Sequence, residues 1–441
     1  MTRPTSVPDG AGVAAPAAPV QQAPVQQRSA QRTVLLLGGP PGTFWPKLAD
    51  GFAAAGHRIL KVHVHLGDRL AWGRRPARAF RGRLGAWRGW LDRLIAAEGV
   101  TDILYYADRV PYHAAALEAA RAAGVRAWAL EFGYLRPDWI TLEPEGMGVM
   151  SRFPRSAEGL AALARGRDRP DTTPRHPHGF WTEAVPEVLG GLAQTAGRPL
   201  YPFHVHDRPV PPVLSYLAWL PQLALGRRRE RDATAVVDDL LGRGAAFTLV
   251  ALQLEEDYQI RSASPYAKLI DFLDEVIDSF RRFAPPERQL VVKVHPLDAG
   301  LGRWFERIPA LAARQGVADR VRVIRGGDLD ALIGAAKGVV LVNSTVGLAA
   351  LRAGVPVIAK GTAIYDVPGL THGSGIDTFW TAPERPDPAL WDVFERALGR
   401  IQVKGSFYVP EGQARAIREI VRRVGTGAIH AALAGNPRAG P

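Results

Sequence analysis

Residues 32–64 read RTVLLLGGPPGTFWPKLADGFAAAGHRILKVHV, and this stretch decides the fold. Val34–Leu37 is an unbroken apolar run, the pattern of a strand buried on both faces. Glycines and prolines at 38–42 turn the chain, an amphipathic helix follows, and a second apolar run begins after Gly56. Strand, glycine-rich turn, helix and strand in that order open a parallel sheet. The rhythm returns in TDILYYAD (101–108), RVPYHAAALEAARAAG (109–124) and VRAWALEFGY (125–134). It starts afresh near Ala246 with AFTLVALQL, a helix around YAKLIDFLDEVIDSFRRF, then QLVVKVHP, RVRVIRG, GVVLVN and VPVIAKG. The expected fold class is therefore α/β, with two Rossmann-like domains facing across a cleft.

The pattern gives expected boundaries: a disordered segment at 1–31, a first domain at 32–200, a linker with a possible membrane-surface stretch at 201–245, a second domain at 246–395, and a helical segment at 396–441 able to pack back across the first domain. The span 165–245 is rich in proline and charge and reads as less regular. At 441 residues there is chain enough for two cores.

There is no cysteine, which excludes disulfides, thiolate metal sites and cysteine nucleophiles. The Ala-, Pro- and Gln-rich opening lacks an apolar core of the secretory kind, and a cytoplasmic location is expected. The longest apolar stretch, VLSYLAWLPQLALG (213–226), contains Pro221 and runs into RRRER. It is shorter than the roughly 20 residues that span a bilayer and suits a membrane surface or a linker. A second such element is GRRPARAFRGRLGAWRGWLDRLI (73–95), with Phe80, Leu84, Trp87 and Leu91 on one helical face and arginines elsewhere. It either covers the core or meets a membrane interface. The net charge of +12 calls for anionic partners. No nucleic-acid module accompanies it, so nucleic acid is not an expected partner.

Four motifs fall where doubly wound sheets bind ligands, at strand ends. GGPPGTF (38–44) follows a strand and opens a helix; with Gly39 and Gly42 it is either a structural turn or an acceptor-site loop. It has neither the dinucleotide spacing nor the Gly-Lys-Ser/Thr of a P-loop. In KVHP (293–296), Pro296 stops a strand and leaves Lys293 and His295 at the sheet edge. In VVLVNSTVG (339–347), Asn343, Ser344 and Thr345 stand between a buried strand and a helix start, where backbone N–H groups and hydroxyls converge as in a phosphate site. In ALEFGYLRPDW (129–139), Glu131 ends a strand and Arg136 precedes a proline, placing a candidate acid or base beside a cation. Behind another strand, LQLEEDYQIRSASPY (252–266) sets Glu255, Glu256 and Asp257 together. Along a continuing strand Glu255 and Asp257 would share a face, so spacing alone does not choose between them.

From about Thr33 to Ile417 the chain resembles the capsule polysaccharide biosynthesis proteins of Gram-negative bacteria, of the KpsS/LipB type. The resemblance rests on LLLGGPPGTFWPKLADGFAAAGH, HLGDRLAW, YYADRVPYH, EFGYLRPDWITLE, LQLEEDYQIRSASPY, VKVHPLD, NSTVGLAALRAGVPV and GSFYVPEGQARAI, in that order. Departures are small: ADRVPYH stands where the family pattern has GDCRPYH, and Leu130 stands at the first acidic position of its EEGY.

The resemblance implies a GT-B-like retaining β-Kdo glycosyltransferase that uses CMP-Kdo as donor; separately, neither a cofactor nor a metal is expected. Its acceptor would be a phosphatidylglycerol-type lipid terminus at the cytoplasmic face of the inner membrane, beside the capsule assembly machinery. The first domain would then hold the acceptor and the second the CMP-sugar. Retention requires two displacements or a shielded ion pair, since one direct attack inverts the centre. By similarity to the family's Gln-x-x-x-Asp pattern, Gln253 precedes the nucleophile Asp257, and Glu131 takes the acceptor's proton. Lys293, His295, Pro296, Asn343, Ser344 and Thr345 are expected at the CMP phosphate, and Arg136 or Arg261 at the Kdo carboxylate. Two rivals stand beside this reading: a GT-B enzyme using another activated sugar, and a non-catalytic assembly or export partner. Three carboxylates beside a phosphate argue against a pure binding scaffold.

Overall fold

Val34, Leu35 and Leu36 are fully buried at the centre of a sheet, as their unbroken apolar run requires. The structure, a computed structural model, describes residues 1–2, 31–177, 179–206, 210–255, 257, 260 and 262–439. Most of the segment expected to be disordered lies outside these residues, as do Glu256 and Arg261.

The first half supplies β1 (Thr33–Leu36), β2 (Arg58–His63), β3 (Arg78–Ala79), β4 (Asp102–Tyr106), β5 (Arg126–Phe132) and β6 (Trp139–Pro144). The second supplies β7 (Phe247–Ala251), β8 (Gln289–Lys293), β9 (Val321–Ile324), β10 (Val339–Leu341) and β11 (Val357–Ala359), and β12 (Gln402–Lys404) follows near the end. Two sheets form, in the orders β12-β6-β5-β4-β1-β2-β3 and β11-β10-β7-β8-β9. In the first, β1 to β5 run parallel while β6 and β12 are each antiparallel to their neighbour. The second is parallel throughout. Each sheet reverses its winding beside its first strand, between β1 and β4 and between β7 and β10, and such switch points open crevices at the carboxyl edge. This is the α/β fold with two Rossmann-like halves that the alternation predicts.

Two stretches differ from expectation, and a third resolves to one of its two expected roles. The span 165–245 is largely helical, with helices Phe180–Ala196 and Pro212–Gly242 that carry Pro186 and Pro221 inside them. The second is 31 residues long, about 46 Å at 1.5 Å per residue, so the linker is a strut. Its last turns enter the second half's core through Ala233, Val237 and Leu240.

The segment 396–441 is not purely helical. Val403 and Lys404 pair with Ile140 and Trp139, making β12 the outer strand of the first sheet. At three residues it is too short to show periodicity. The helix Pro410–Thr426 then packs on the helix Phe44–Ala54, where Gly51 leaves room for Ile417 and Lys47 donates to Gln413 at 2.6 Å.

The arginine-rich helix does not offer its aromatic face to a membrane. The helix spans Leu84–Glu98, so Phe80 precedes it and does not lie on its face; Phe80, Trp87 and Leu91 are all buried, and Phe80 meets Trp87 edge to face at 4.9 Å over the first sheet.

Candidate active site

The glycine loop after β1 is braced from behind. The Leu37 carbonyl accepts from the Trp45 indole at 2.8 Å and from the buried Lys61 ammonium at 2.7 Å. Lys61 in turn pairs with Asp68 at 2.7 Å; that ion pair holds the Asp68 carboxyl well below the usual range despite its burial. A Cβ on Gly39 would come within 2.5 Å of the Trp45 ring, and Gly42 has φ +102°, so both positions need glycine. The 180–196 helix passes over this loop, with Pro186 3.9 Å from the Gly42 Cβ position.

Glu131 closes β5 at the same carboxyl edge. Gly133 lets the chain fold back at once: its N–H donates to the Trp139 carbonyl at 2.7 Å, and a Cβ there would sit 2.5 Å from the Trp139 backbone. Burial pushes the Glu131 carboxyl up to about 7, against the lowering effect of the Phe132 N–H, the Tyr106 hydroxyl and the Arg136 charge. The Phe132 N–H reaches it at 3.1 Å. Around it Tyr106, Phe132 and Phe407 meet edge to face, with centroids 5.5 and 5.6 Å apart. Tyr408 is also close: its hydroxyl is held in the protonated form by burial and by the charges of Glu183, Glu187 and Glu131. Aromatic rings thus surround one carboxyl poised near neutrality, with Glu183 and Glu187 of the 180–196 helix near enough for their charges to act on Tyr408.

Arg136, joined to Pro137 by a cis peptide bond, lies over the Phe132 ring at 5.1 Å. Its charge acts on Glu131 and, in the other half, on His295. Arg136 thus stands within electrostatic reach of both sheet edges.

Beyond β8, burial and the Arg136, Arg325 and Lys293 charges push the His295 imidazole down to about 4, so it is neutral at pH 7. Its Nδ1 accepts from the Leu297 N–H at 3.1 Å, which assigns the proton to Nε2 and makes that atom a donor. Arg325 braces the turn by donating to the Pro296 carbonyl at 2.8 Å and to Gln222 on the 212–242 helix. Lys293 is turned inward: its ammonium donates to the Gly326 and Gly327 carbonyls and so fixes the loop after β9.

At the second sheet's switch point Gln253 and Asn343 interlock. The Gln253 Nε2 donates to Asn343 Oδ1 at 2.8 Å, and the Asn343 N–H donates to Gln253 Oε1 at 3.1 Å. The strand ends at Ala251, and the chain turns, with the Asp257 N–H donating to Leu254 and the Ile260 N–H to Asp257. Pleat alternation thus stops before the carboxylates and cannot rank them. Of the two described carboxylates, Glu255 and Asp257, Asp257 has its Oδ2 3.5 Å from Gln253 Nε2. Ser344 accepts from the Val346 N–H at 3.3 Å, and its carbonyl accepts from Tyr365 at 2.6 Å. Thr345 precedes the helix Val346–Arg352 without a side-chain cap bond.

The structure thus gathers Glu131 and Arg136 with Gly39 and Gly42 on one edge, and Gln253, Asp257, His295 and Asn343–Thr345 on the other. Sequence reasoning passed over Tyr106, Tyr408, Arg325 and Gln222. Tyr106 and Tyr408 lie inside quoted motifs, while Arg325 and Gln222 carry no local signal.

The family model described as "Capsule polysaccharide biosynthesis protein" matches residues 101–408. The chain belongs to this family. The matched span of this capsule polysaccharide biosynthesis protein begins just before Tyr106 and ends at Tyr408, and leaves the glycine loop outside. Over 382 residues the protein is 31% identical to the capsule polysaccharide export protein KpsS of Escherichia coli, covering 85% of this chain and 96% of that one. It is 29% identical to the capsule polysaccharide modification protein LipB of Neisseria meningitidis serogroup B, covering 85% and 91%. Among solved structures, a β-Kdo 2,7 transferase, KpsC of Thermosulfurimonas dismutans, aligns with TM-score 0.41 and 17% identity over 88% of this chain and 98% of that one.

Proposed function

We propose that this capsule polysaccharide biosynthesis protein is a retaining β-Kdo glycosyltransferase, moving Kdo from CMP-Kdo to a phosphatidylglycerol-type lipid terminus at the inner face of the cytoplasmic membrane. The observation that supports the reading is a carboxyl that burial pushes up to about 7, Glu131, beside a cation, Arg136, whose charge also acts on His295 of the second half. A group at that value accepts a proton at neutral pH and holds it long enough to be useful.

In the first step the Asp257 carboxylate attacks the anomeric carbon of Kdo. The bond from that carbon to the phosphate oxygen breaks, and CMP leaves with the electron pair. In the second step the acceptor oxygen attacks the same carbon, Glu131 takes its proton, and the Asp257 carboxylate is released. Two inversions give retention. The His295 Nε2–H and the Asn343–Thr345 turn stabilise the departing phosphate, with Pro296 fixing the histidine's position. Lys293 contributes by holding the loop behind them. Arg136 or Arg261 pairs with the Kdo carboxylate. Gly39 and Gly42 shape the acceptor side.

The test is the intact mass of wild type and Asp257→Ala after incubation with CMP-Kdo, with product formation on a phosphatidylglycerol-like acceptor followed in parallel. A Kdo-sized adduct and turnover that both vanish in Asp257→Ala support the reading. Full activity in the variant removes Asp257 from the mechanism. A wild type that binds CMP-Kdo without turnover on any lipid acceptor identifies a non-catalytic capsule component instead.

A further inference from the structure

The sequence offers two stretches for a membrane surface, and the structure treats them oppositely. The 84–98 helix spends its aromatic face on the first sheet. The 180–196 helix, by contrast, has no buried residue along its whole length, and Trp181 is 65% exposed and Leu189 61%. The first half of the 212–242 helix continues the same surface: Leu217 is 56% exposed and Leu220 60%. The two helices pack against each other by one side only. Tyr216 donates to the Glu187 carbonyl at 3.2 Å, Gly191 admits the Tyr216 ring, and Phe180 meets Trp219 at 6.1 Å. Their outer sides, rich in Leu, Phe and Trp, stand bare.

A run of arginines, Arg227 to Arg229 with Arg231, follows directly where the apolar stretch ends. Arg228 is 81% exposed in its side chain. Apolar residues bordered by guanidinium groups match the two layers of an anionic bilayer surface, acyl chains beneath phosphates. No helix of the described residues is long and apolar enough to cross a membrane. The exposed apolar side chains stand on the outer sides of two helices, an arrangement that suits insertion into a lipid interface.

We propose that the hairpin of helices 180–196 and 212–225 is a docking surface for an anionic lipid bilayer, entering the headgroup region with Trp181, Leu189, Leu217 and Leu220 and holding lipid phosphates with Arg227 and Arg228. Because the 180–196 helix also overlies the Gly38–Thr43 loop, docking brings the bilayer to the Glu131 edge. That use of the surface rests on the transferase reading, whereas the binding itself does not.

The experiment is co-sedimentation of the full chain with vesicles of phosphatidylcholine alone and of phosphatidylcholine with phosphatidylglycerol, at low and high salt. Wild type is expected to bind the anionic vesicles and to lose affinity with salt. The double variant Leu217→Asp/Leu220→Asp is expected to bind at least about tenfold more weakly, since two charged side chains would have to enter the interface. Arg227→Glu/Arg228→Glu should remove the preference for phosphatidylglycerol. A cooperative thermal melt like that of wild type reports that each variant is folded. Wild type that binds neither vesicle, or a Leu217→Asp/Leu220→Asp protein that binds as wild type does, overturns the proposal. So does a lipid-independent dimer in analytical ultracentrifugation that the same substitutions dissociate, since the face would then belong to a second copy. Vesicle binding without sugar transfer leaves this surface standing and removes the transferase reading; transfer to a soluble short-chain acceptor without vesicle binding does the reverse.

Discussion

Gln253 and Asn343 exchange two hydrogen bonds, at 2.8 and 3.1 Å, across the carboxyl ends of β7 and β10. They lock the crevice where the second sheet reverses its winding, and the same Gln253 amide lies beside Asp257. Gln253→Ala removes both bonds from Asn343 in a largely buried place. The expected cost is about 1–3 kcal/mol of stability in urea denaturation. CMP affinity should fall with it in a titration; unchanged CMP binding would separate this pair from the donor site.

Glu131 supplies a pH signature. With its carboxyl at about 7, the base form grows as pH rises, so kcat/KM should climb through pH 7 and level above it. Glu131→Gln should lower kcat/KM by about 10²–10⁴-fold and flatten that limb. Stability runs the other way. Between the ordinary 4.5 and about 7 the folded protein holds a proton that the unfolded chain has lost, so stability declines as pH rises through this window, by at most about 3 kcal/mol. Glu131→Gln should make that decline shallower in pH-dependent melts, leaving the part that Glu143 contributes.

Glu143 is the internal control. It is fully buried on β6, accepts from Ser151 at 2.5 Å, and burial pushes its carboxyl up to about 8. Glu143→Gln should make the protein more stable than wild type above pH 8, where wild type must ionise a buried group. The activity limb near pH 7 should stay in place, and its loss would mean that Glu143 and not Glu131 sets it.

The Lys61–Asp68 pair should behave as a buried ion pair. Asp68→Ala leaves the ammonium uncompensated behind the glycine loop, with an expected loss of about 3–5 kcal/mol in urea denaturation. The double change Lys61→Met/Asp68→Leu should recover most of it. Because the Asp68 carboxyl is depressed below 3.8, its contribution is complete above that pH and is lost as pH falls below it. A single Asp68→Ala variant as stable as wild type would contradict this account.

Gly133→Ala tests the turn that presents the acid/base edge. Its methyl would meet Trp139 Cβ at 2.4 Å as well as the Trp139 backbone, so β5 and β6 must part. The expected result is a lowered melting temperature together with a fall in kcat, since Glu131 and Arg136 flank the turn. A variant that loses stability but keeps kcat would show that the turn positions neither.

The sheets were legible because β1, β4, β7 and β8 are short apolar runs buried on both faces, and such runs announce themselves. Strand ends were legible for the same reason, and with them Glu131, His295 and Asn343. The helices 180–196 and 212–242 were not, because periodicity reports which face meets a core and theirs meets none over most of its length; Pro186 and Pro221 obscured them further. Arg325 and Gln222 act through a contact 103 residues apart in sequence, which no local pattern encodes. The inward turn of Lys293 is likewise set by where the Gly326 and Gly327 carbonyls stand, and nothing in KVHP reveals it.

The strand β12 has a consequence for how the protein is made. Thr141 and Gln402, side by side in the sheet, are 261 residues apart. Most of the first half therefore leaves the ribosome with its outer edge, β6, uncovered, and it stays so while the entire second half is translated. The nascent chain carries an open strand through most of its synthesis, a condition that invites mispairing with neighbours on the same polysome. Stop codons placed before residue 402 should therefore yield aggregated product and not a soluble first half, since the first sheet is sealed only once β12 has been made.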